Sequence, residues 1–529
     1  MRHRHLFFGL AAAALLAPPL VPLPARAEVV FKWANDGDVR AMDPYTLDET
    51  VQNSFLANIY EPLVRRDRKL AVEPALAIKY EQAGPTTWRF HLRPNVKWQD
   101  GSPFTADDVL FSYKRILSPT SQTKGNVSTV KDVKKVDALT VDFETNGPDP
   151  ILPSEFTNWP IVPQAWMEKN NSAAPVVVGS GDNFALRNAM GTGAFKLTSR
   201  EPDRKNVLEK NPTWWDKPEH NLDRVEFTVI GSAATRVAAL LSGEMDMIYS
   251  VPPQDIDRIS KAPGIHVIQG PELRTIYLGM DQARDELLFS SVKGKNPFKD
   301  PKVRQAFTLA IDEEAIANRV MRNQGVPLWE MWAPGVQGYN KALDVRPKVD
   351  LAKAKALLAE AGYPEGFTVT LDCPNDRYIA DEQICVAISA MLARINIKAE
   401  VFARTKVRFF ADTGYPNYKT SFYLLGWTPS TYDADNVIRD HLVSRSMKLS
   451  VGNASGYSNA TVDKDEPLIA QELDPKKRQA LIDGVIKAVQ GDFGFIPLHQ
   501  QKITWAARNN ITLTQPADNS FPMRWVVKK

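Results

Sequence analysis

The sequence predicts an α/β fold split into two or three domains, on three observations. The chain has 529 residues, more than a single hydrophobic core organises. Apolar residues recur at helical spacing in some stretches and in strict alternation in others, with Pro and Gly between them. Helix-patterned segments also run into strand-patterned ones, as where "ICVAISAMLARINI" leads into "IKAEVF", the order expected of layered α/β domains. With 43% hydrophobic residues and 12 Trp, the composition is that of an ordered globular chain.

The first 27 residues read as a secretory leader. Arg2 and Arg4 precede a twelve-residue apolar run, Leu6 to Ala17, and the stretch ends in Ala25-Arg26-Ala27, a small-x-small cleavage pattern. The run is shorter than the roughly 20 apolar residues a membrane span needs. No Cys lies near residue 27, so no lipid anchor is expected there. The 65 Lys and Arg outnumber the 62 Asp and Glu by three. The leader carries three of those bases, Arg2, Arg4 and Arg26, and no acid. The mature chain is therefore formally neutral and lacks the positive field that nucleic acids select. The only cysteines are Cys373 and Cys385. In an exported chain such a pair reads as one disulfide, with two free thiols as the alternative.

Local elements follow in chain order. "TTWRFHLRP" alternates, with Trp88, Phe90 and Leu92 on one side and Arg89, His91 and Arg93 on the other, the mark of a half-buried strand. Gln99-Asp100-Gly101 reads as a turn. Thr105-Ala106-Asp107-Asp108 matches a capping box, and Val109, Leu110, Tyr113, Ile116 and Leu117 share the face of the helix it opens. The acidic cluster Asp100, Asp107 and Asp108 is thus assigned to architecture rather than to a metal or a proton transfer. Three more helices open on Asp300-Pro301, Asp350 and Asp474-Pro475, each with an N-cap acid. The first of these is read as one run, "KVRQAFTLAIDEEAI", with Val303, Phe307, Ala310 and Ile311 inward.

Enzyme motifs are missing. There is no HExxH, GxSxG or P-loop, and Gly191-Thr192-Gly193 leads into a strand-like "AFKL" without a third glycine, unlike a dinucleotide site. The five histidines after the leader, His91, His220, His266, His441 and His499, are too scattered for a metal set. No cofactor and no metal are expected. An exported, aromatic-rich α/β chain without evident chemistry suggests a binding protein. "LLGWTPSTYDADN" offers Trp427 and Tyr432 with several hydroxyls in one loop. Trp427 is either part of the core or a rigid platform for a ligand.

Nine stretches in order resemble the family 5 extracytoplasmic solute-binding proteins of ABC importers. "LRPNVKWQDGSPFTADDVLFSYKR" is the most specific. "NIYEPLV", "GTGAFKL", "NPTWW", "AALLSGEMDM", "NPFKDPKVRQAFTLAID", "LLAEAGY", "GYSNATVD" and "IPLHQ" complete the set. The resemblance covers nearly all of the mature chain. It implies a two-lobed periplasmic-binding-protein-like clamp with three domains. Domain I is expected from 28–58, 190–275 and 497–529, domain II from 59–189, and domain III from 276–496. It also implies a hinge on two crossing segments, placed near Leu273–Asp281 and Phe495–Gln501.

The resemblance assigns site residues too. In the family's peptide binders an Asp in the loop matching "GWTPSTYDADN" holds the ligand's α-ammonium, and that position is Ser430 here. A Ser cannot supply the charge that offsets burying an ammonium. Trp427 keeps the family's aromatic, and Thr431 neighbours it in the expected site. Asp433 is read as a brace for the loop. Arg377, with Tyr378 beside it, lies in a region where family members present an Arg to a ligand carboxylate. Asp38 and Arg40, in the polar loop after the first strand, complete the expected set.

The expectation is a monomeric periplasmic receptor for a small or peptide-like solute, such as a peptide or an opine, serving an inner-membrane ABC permease. The competing classes are an exported hydrolase of peptides or glycans, with a site assembled across domains, and a chaperone-like or sensor protein.

Overall fold

A computed structural model describes Met1 and residues 26–179, 181–449 and 452–529. The leader read over residues 1–27 lies, but for its ends, outside the described residues. The remaining chain is built around one eleven-stranded mixed sheet. From one edge the strands run Lys398–Arg404, Thr368–Pro374, Phe422–Trp427, Ile265–Met280, Phe495–Arg508, Met247–Tyr249, Val30–Asn35, Arg224–Val229, Lys205–Lys210 and Phe195–Glu201, with Gly325–Pro327 paired on Phe495–Arg508.

Two strands of this sheet belong to both halves of the molecule. Ile265–Met280 has 16 residues and Phe495–Arg508 has 14, and they pair antiparallel. The ladder breaks between Pro271 and Thr275, where the partner residues are Lys502 and Gln500. The cores change over at the same place. Ile503 and Trp505 pack with Phe31, Trp33 and Phe227 in one lobe, whereas Ile276, Leu278, Ile496 and Leu498 pack with Phe307, Leu371 and Phe422 in the other. The segments expected to cross, Leu273–Asp281 and Phe495–Gln501, lie on these two strands, and the break falls at the start of the first and the end of the second.

The first lobe carries a second sheet, ordered Ala77–Gly84, Thr87–Leu92, Thr140–Thr145 and Val130–Asp137. Phe90 and Leu92 are buried as the alternation predicts. On the polar face Arg89 pairs with Asp142 at 2.7 Å and His91 Nε2 sits 3.1 Å from Glu81. This sheet does not have a core of its own. Phe90, Phe143 and Trp159 belong to the same buried cluster as Phe31 and Trp33.

The acidic stretch is architecture. The Asp100 carboxylate accepts the Ser102 N–H at 2.9 Å, and Gly101 has φ +89°. Thr105 caps the helix Ala106–Ile116, and the Asp108 carboxylate accepts the Thr105 N–H at 3.0 Å and the Gln164 N–H at 3.0 Å. Asp107 pairs with Lys135 at 2.8 Å. Leu117, read as part of the apolar face, is the C-cap residue just past Ile116 and is 46% exposed.

Asp300, Asp350 and Asp474 cap their helices as read. The run after Asp300 is two helices rather than one. Pro301–Ala310 stops, and Asp312 accepts the Ala315 N–H at 2.9 Å to start a new turn. A second cap inside the sequence outcompeted the continuous apolar period. Gly191 and Gly193 have a packing role. A Cβ on Gly191 would meet the Ile59 carbonyl oxygen at 1.8 Å, so two backbones touch where the sequence suggested only a non-nucleotide turn.

Candidate functional site

A cavity of about 1320 Å³ lies where the two lobes face each other, larger than the ~300–1,000 Å³ usual for small-molecule sites. The first lobe lines it with Arg66, Asp149, Glu155, Asn158 and Asp518, and the second with Arg377, Tyr378, residues 427–432, Asp435, Arg439 and His441. No three His, Cys, Asp or Glu among the described residues could hold a metal ion.

The loop after strand Phe422–Trp427 forms much of the wall. Its sequence folds it tightly. Trp427 Nε1 donates to Asn436 Oδ1 at 3.0 Å, and the Ser430 N–H donates to the same oxygen at 3.3 Å. Asp433 caps the following turn through the Asp435 N–H at 2.8 Å and forms a two-point ion pair with buried Arg478, both contacts at 2.8 Å. Asp433 therefore braces the loop. Trp427 is half-buried, with its ring 4.4 Å from that of His441.

The same loop reaches the first lobe. Arg66 Nη2 donates to the Thr431 carbonyl at 3.1 Å and its guanidinium lies 4.6 Å from the Tyr432 ring. Asn158 Nδ2 donates to the Ser430 carbonyl, and Tyr432 OH donates to Asp518 at 2.9 Å. Ser430 stays exposed, and Thr431 Oγ1 has no hydrogen-bond partner among the described residues.

Arg377 and Tyr378 sit on the loop between the two cysteines. Cys373 and Cys385 are bonded to each other and fully buried. Asp381 accepts the N–H groups of Arg377 and Tyr378 at 2.9 and 3.0 Å, and Tyr378 OH donates to the Gly426 carbonyl at 3.2 Å. Arg377 is exposed, 5.4 Å from the Tyr378 ring, and makes no ion pair with the described residues. Arg274, at the ladder break, pairs with Glu272 at 3.0 Å and lies 5.9 Å from the same ring.

Asp38 and Arg40 do not join this site. Asp38 accepts the Asp203 N–H at 2.7 Å and Asn206 Nδ2 at 2.8 Å, so its charge serves the sheet edge. Arg40 is exposed, and neither residue lines the cavity. Proximity to the first strand in sequence misplaced both.

Several cavity residues escaped the sequence reading. Arg439 pairs with Asp435 at 3.2 Å and Glu466 at 3.5 Å. Burial pushes Asp435 up to about 7, an effect that Arg439 opposes, and pushes Asp440 up to about 6. Burial, reinforced by neighbouring Asp149, raises Glu155. His441 is pushed down to about 4 by burial, so its imidazole is neutral near pH 7. The i, i+4 spacing of Asp435 and Arg439 was a readable signal. Asp149 and Glu155 had none, because only the fold turns them toward the second lobe.

Residues 71–447 match the family described as bacterial extracellular solute-binding proteins, family 5 Middle, and the chain belongs to that family. Its members are substrate-binding proteins, which removes the hydrolase alternative. The glutathione-binding protein GsiB of Salmonella paratyphi A is 26% identical over 508 residues, covering 95% of this chain and 94% of GsiB. Two solved structures share the fold. CtaP from Listeria monocytogenes has a TM-score of 0.82 at 21% identity, covering 95% of this chain and 99% of that one. AgaA from A. tumefaciens R10, in complex with agropinic acid, has a TM-score of 0.76 at 23% identity, covering 94% and 99%. The fold is accordingly the multi-domain clamp of periplasmic binding proteins, and the chain is a solute-binding receptor.

Proposed function

We propose that this chain is a periplasmic receptor that closes its two lobes on a peptide-like or opine-like amino-acid conjugate and hands it, unaltered, to an inner-membrane ABC permease. The observation that carries this reading is the interlobe cavity of about 1320 Å³ beside a break in the two strands that join the lobes. A bulged, locally unpaired stretch absorbs a change in φ/ψ more easily than a regular ladder does. Residues 28–58, 190–275 and 497–529 act as domain I, 59–189 as domain II and 276–496 as the moving lobe. GsiB binds glutathione by its name and AgaA was solved with agropinic acid; both ligands are amino-acid conjugates, which supports the class without choosing within it. Trp427 and Tyr378 offer aromatic surface to such a solute, Ser430 and Thr431 offer hydrogen bonds, and exposed Arg377 meets a carboxylate. No helix among the described residues is long and apolar enough to cross a membrane. The receptor works as a monomer.

Native mass spectrometry of the purified mature protein tests this. The expected result is one small molecule per chain, released unchanged on denaturation. Adding that compound at 100 times its Kd raises folding stability by about 2.7 kcal/mol. Conversion of the compound by the pure protein would overturn the proposal.

A further inference from the structure

We infer that Asp149 and Glu155 of the first lobe, together with Asp435 and His441 of the second, form a subsite for an organic cation, the ammonium or guanidinium group of the carried solute. This rests on the receptor reading above and adds the charge of one end of the solute.

The first support is unbalanced charge. Asp149, Glu155, Asp435 and Glu466 all line the cavity, and among the described residues the cation that pairs within this group is Arg439. Arg439 is engaged by Asp435 and Glu466 at 3.2 and 3.5 Å. The nearby Arg478 is spent on Asp433. Glu155 feels Asp149 on its own lobe and Asp435 across the cavity as repelling charges, with Arg439 as the attracting one. Closing the lobes thus brings like charges together unless a cation enters between them.

The second support is independent of that count. Among the described residues, three buried acceptor atoms at the cavity have no hydrogen-bond partner: Asp149 Oδ2, Asp435 Oδ1 and His441 Nε2, on residues that are 3%, 3% and 2% exposed. His441 Nδ1 lies 3.2 Å from the Gly452 carbonyl, which can only accept, and 3.3 Å from Tyr277 OH, which can accept as well as donate, so a proton on Nδ1 is the tautomer that suits both neighbours. Nε2 is then a bare lone pair. Buried acceptors without donors are costly, and what they lack in common is an N–H group. A metal ion does not fit, because no three such groups among the described residues could hold one. An ammonium or guanidinium fits, since it brings several N–H donors spread over a larger group. None of its four residues is Ser430, the position at which the resemblance implied an ammonium-binding Asp.

Thermal melting of the full mature protein at pH 8 and constant ionic strength tests the subsite, with butylguanidinium chloride and its neutral isostere butylurea as probes. Butylguanidinium should raise Tm by several degrees at millimolar concentration while butylurea does not. Asp435→Asn and Glu155→Gln should each weaken the cation at least tenfold, and Arg40→Ala, at an exposed residue that does not line the cavity, should leave its effect unchanged. Far-UV circular dichroism checks that each variant is folded, and either variant suffices if the other is not. Equal effects of the two probes, or wild-type affinity in a folded variant, would overturn the subsite. A co-purifying solute without a basic group would also overturn it while leaving the receptor intact. A protein that retains no solute but distinguishes the two probes would keep the subsite and count against the receptor.

Discussion

The Asp433–Arg478 pair decides whether the cavity loop is held from behind. Both side chains are nearly inaccessible, at 1% and 5%, and two contacts of 2.8 Å join them. Asp433 also caps the turn at Asp435, and Arg478 Nε donates to the Ile469 carbonyl at 2.9 Å. Asp433→Asn keeps the shape but leaves a guanidinium buried without its counter-charge. Breaking a buried pair in this way costs about 3–5 kcal/mol. The amide oxygen retains one acceptor for Arg478, so the lower end, about 3 kcal/mol, is expected. The assay is urea unfolding of the second lobe, followed by ligand titration of the folded fraction. Affinity should fall with stability, because the loop carries Trp427 to Thr431. The double variant Asp433→Asn/Arg478→Met should recover part of the loss, since an apolar replacement removes the stranded charge. A single-variant cost below about 1 kcal/mol, or strictly additive losses in the double variant, would refute the brace.

Three other outcomes are expected. Gly191→Ala should destabilise by more than about 4 kcal/mol or prevent soluble expression, because its Cβ would sit 1.8 Å from a backbone oxygen; a near-wild-type urea midpoint would contradict the packing described. Arg377→Ala should leave that midpoint within about 0.5 kcal/mol, as the residue is exposed and unpaired among the described residues. It should weaken an anionic solute more than tenfold if a close charged contact forms, and isothermal titration reads this directly. The last concerns pH. Burial raises Asp435 to about 7 and Asp440 to about 6. The native state then holds protons that the unfolded chain has released. The stability they contribute is complete below about pH 4 and is lost as pH rises through 6 and 7. The fall of Tm from pH 5 to 7 in ligand-free protein should be shallower in Asp435→Asn by roughly one proton; an unchanged slope would count against the raised value.

Neutral imidazole at His441 has a functional consequence. Its ring backs Trp427 at 4.4 Å, so the aromatic wall carries no positive charge that would repel a basic solute. The carboxylates opposite supply attraction only when ionised. In the proposed subsite the pH dependence of cation binding should therefore follow the carboxyl groups of Asp435 and Glu155, while His441 remains a neutral acceptor.

Local grammar was enough for much of the architecture. Thr105, Asp300, Asp350 and Asp474 announce their helices because a cap acts within three residues of itself. The alternation from Trp88 to Arg93 announces a strand because side-chain direction repeats every two residues. The family was legible because its motifs are short and contiguous. What stayed hidden depends on distance in space. Asp38 and Arg40 follow the first strand in sequence, yet Asp38 is tied to the sheet edge and Arg40 is exposed away from the cavity, whereas Asp149 and Glu155, before and at the end of the one-turn helix Leu152–Glu155, face it. Leu117 matched an apolar face, but the helix ended one residue earlier. Spacing along the chain sets which backbone forms, since those forces act between near neighbours. Which side chains meet across the lobes is set by how the two long strands cross, and that geometry exists only in the folded molecule.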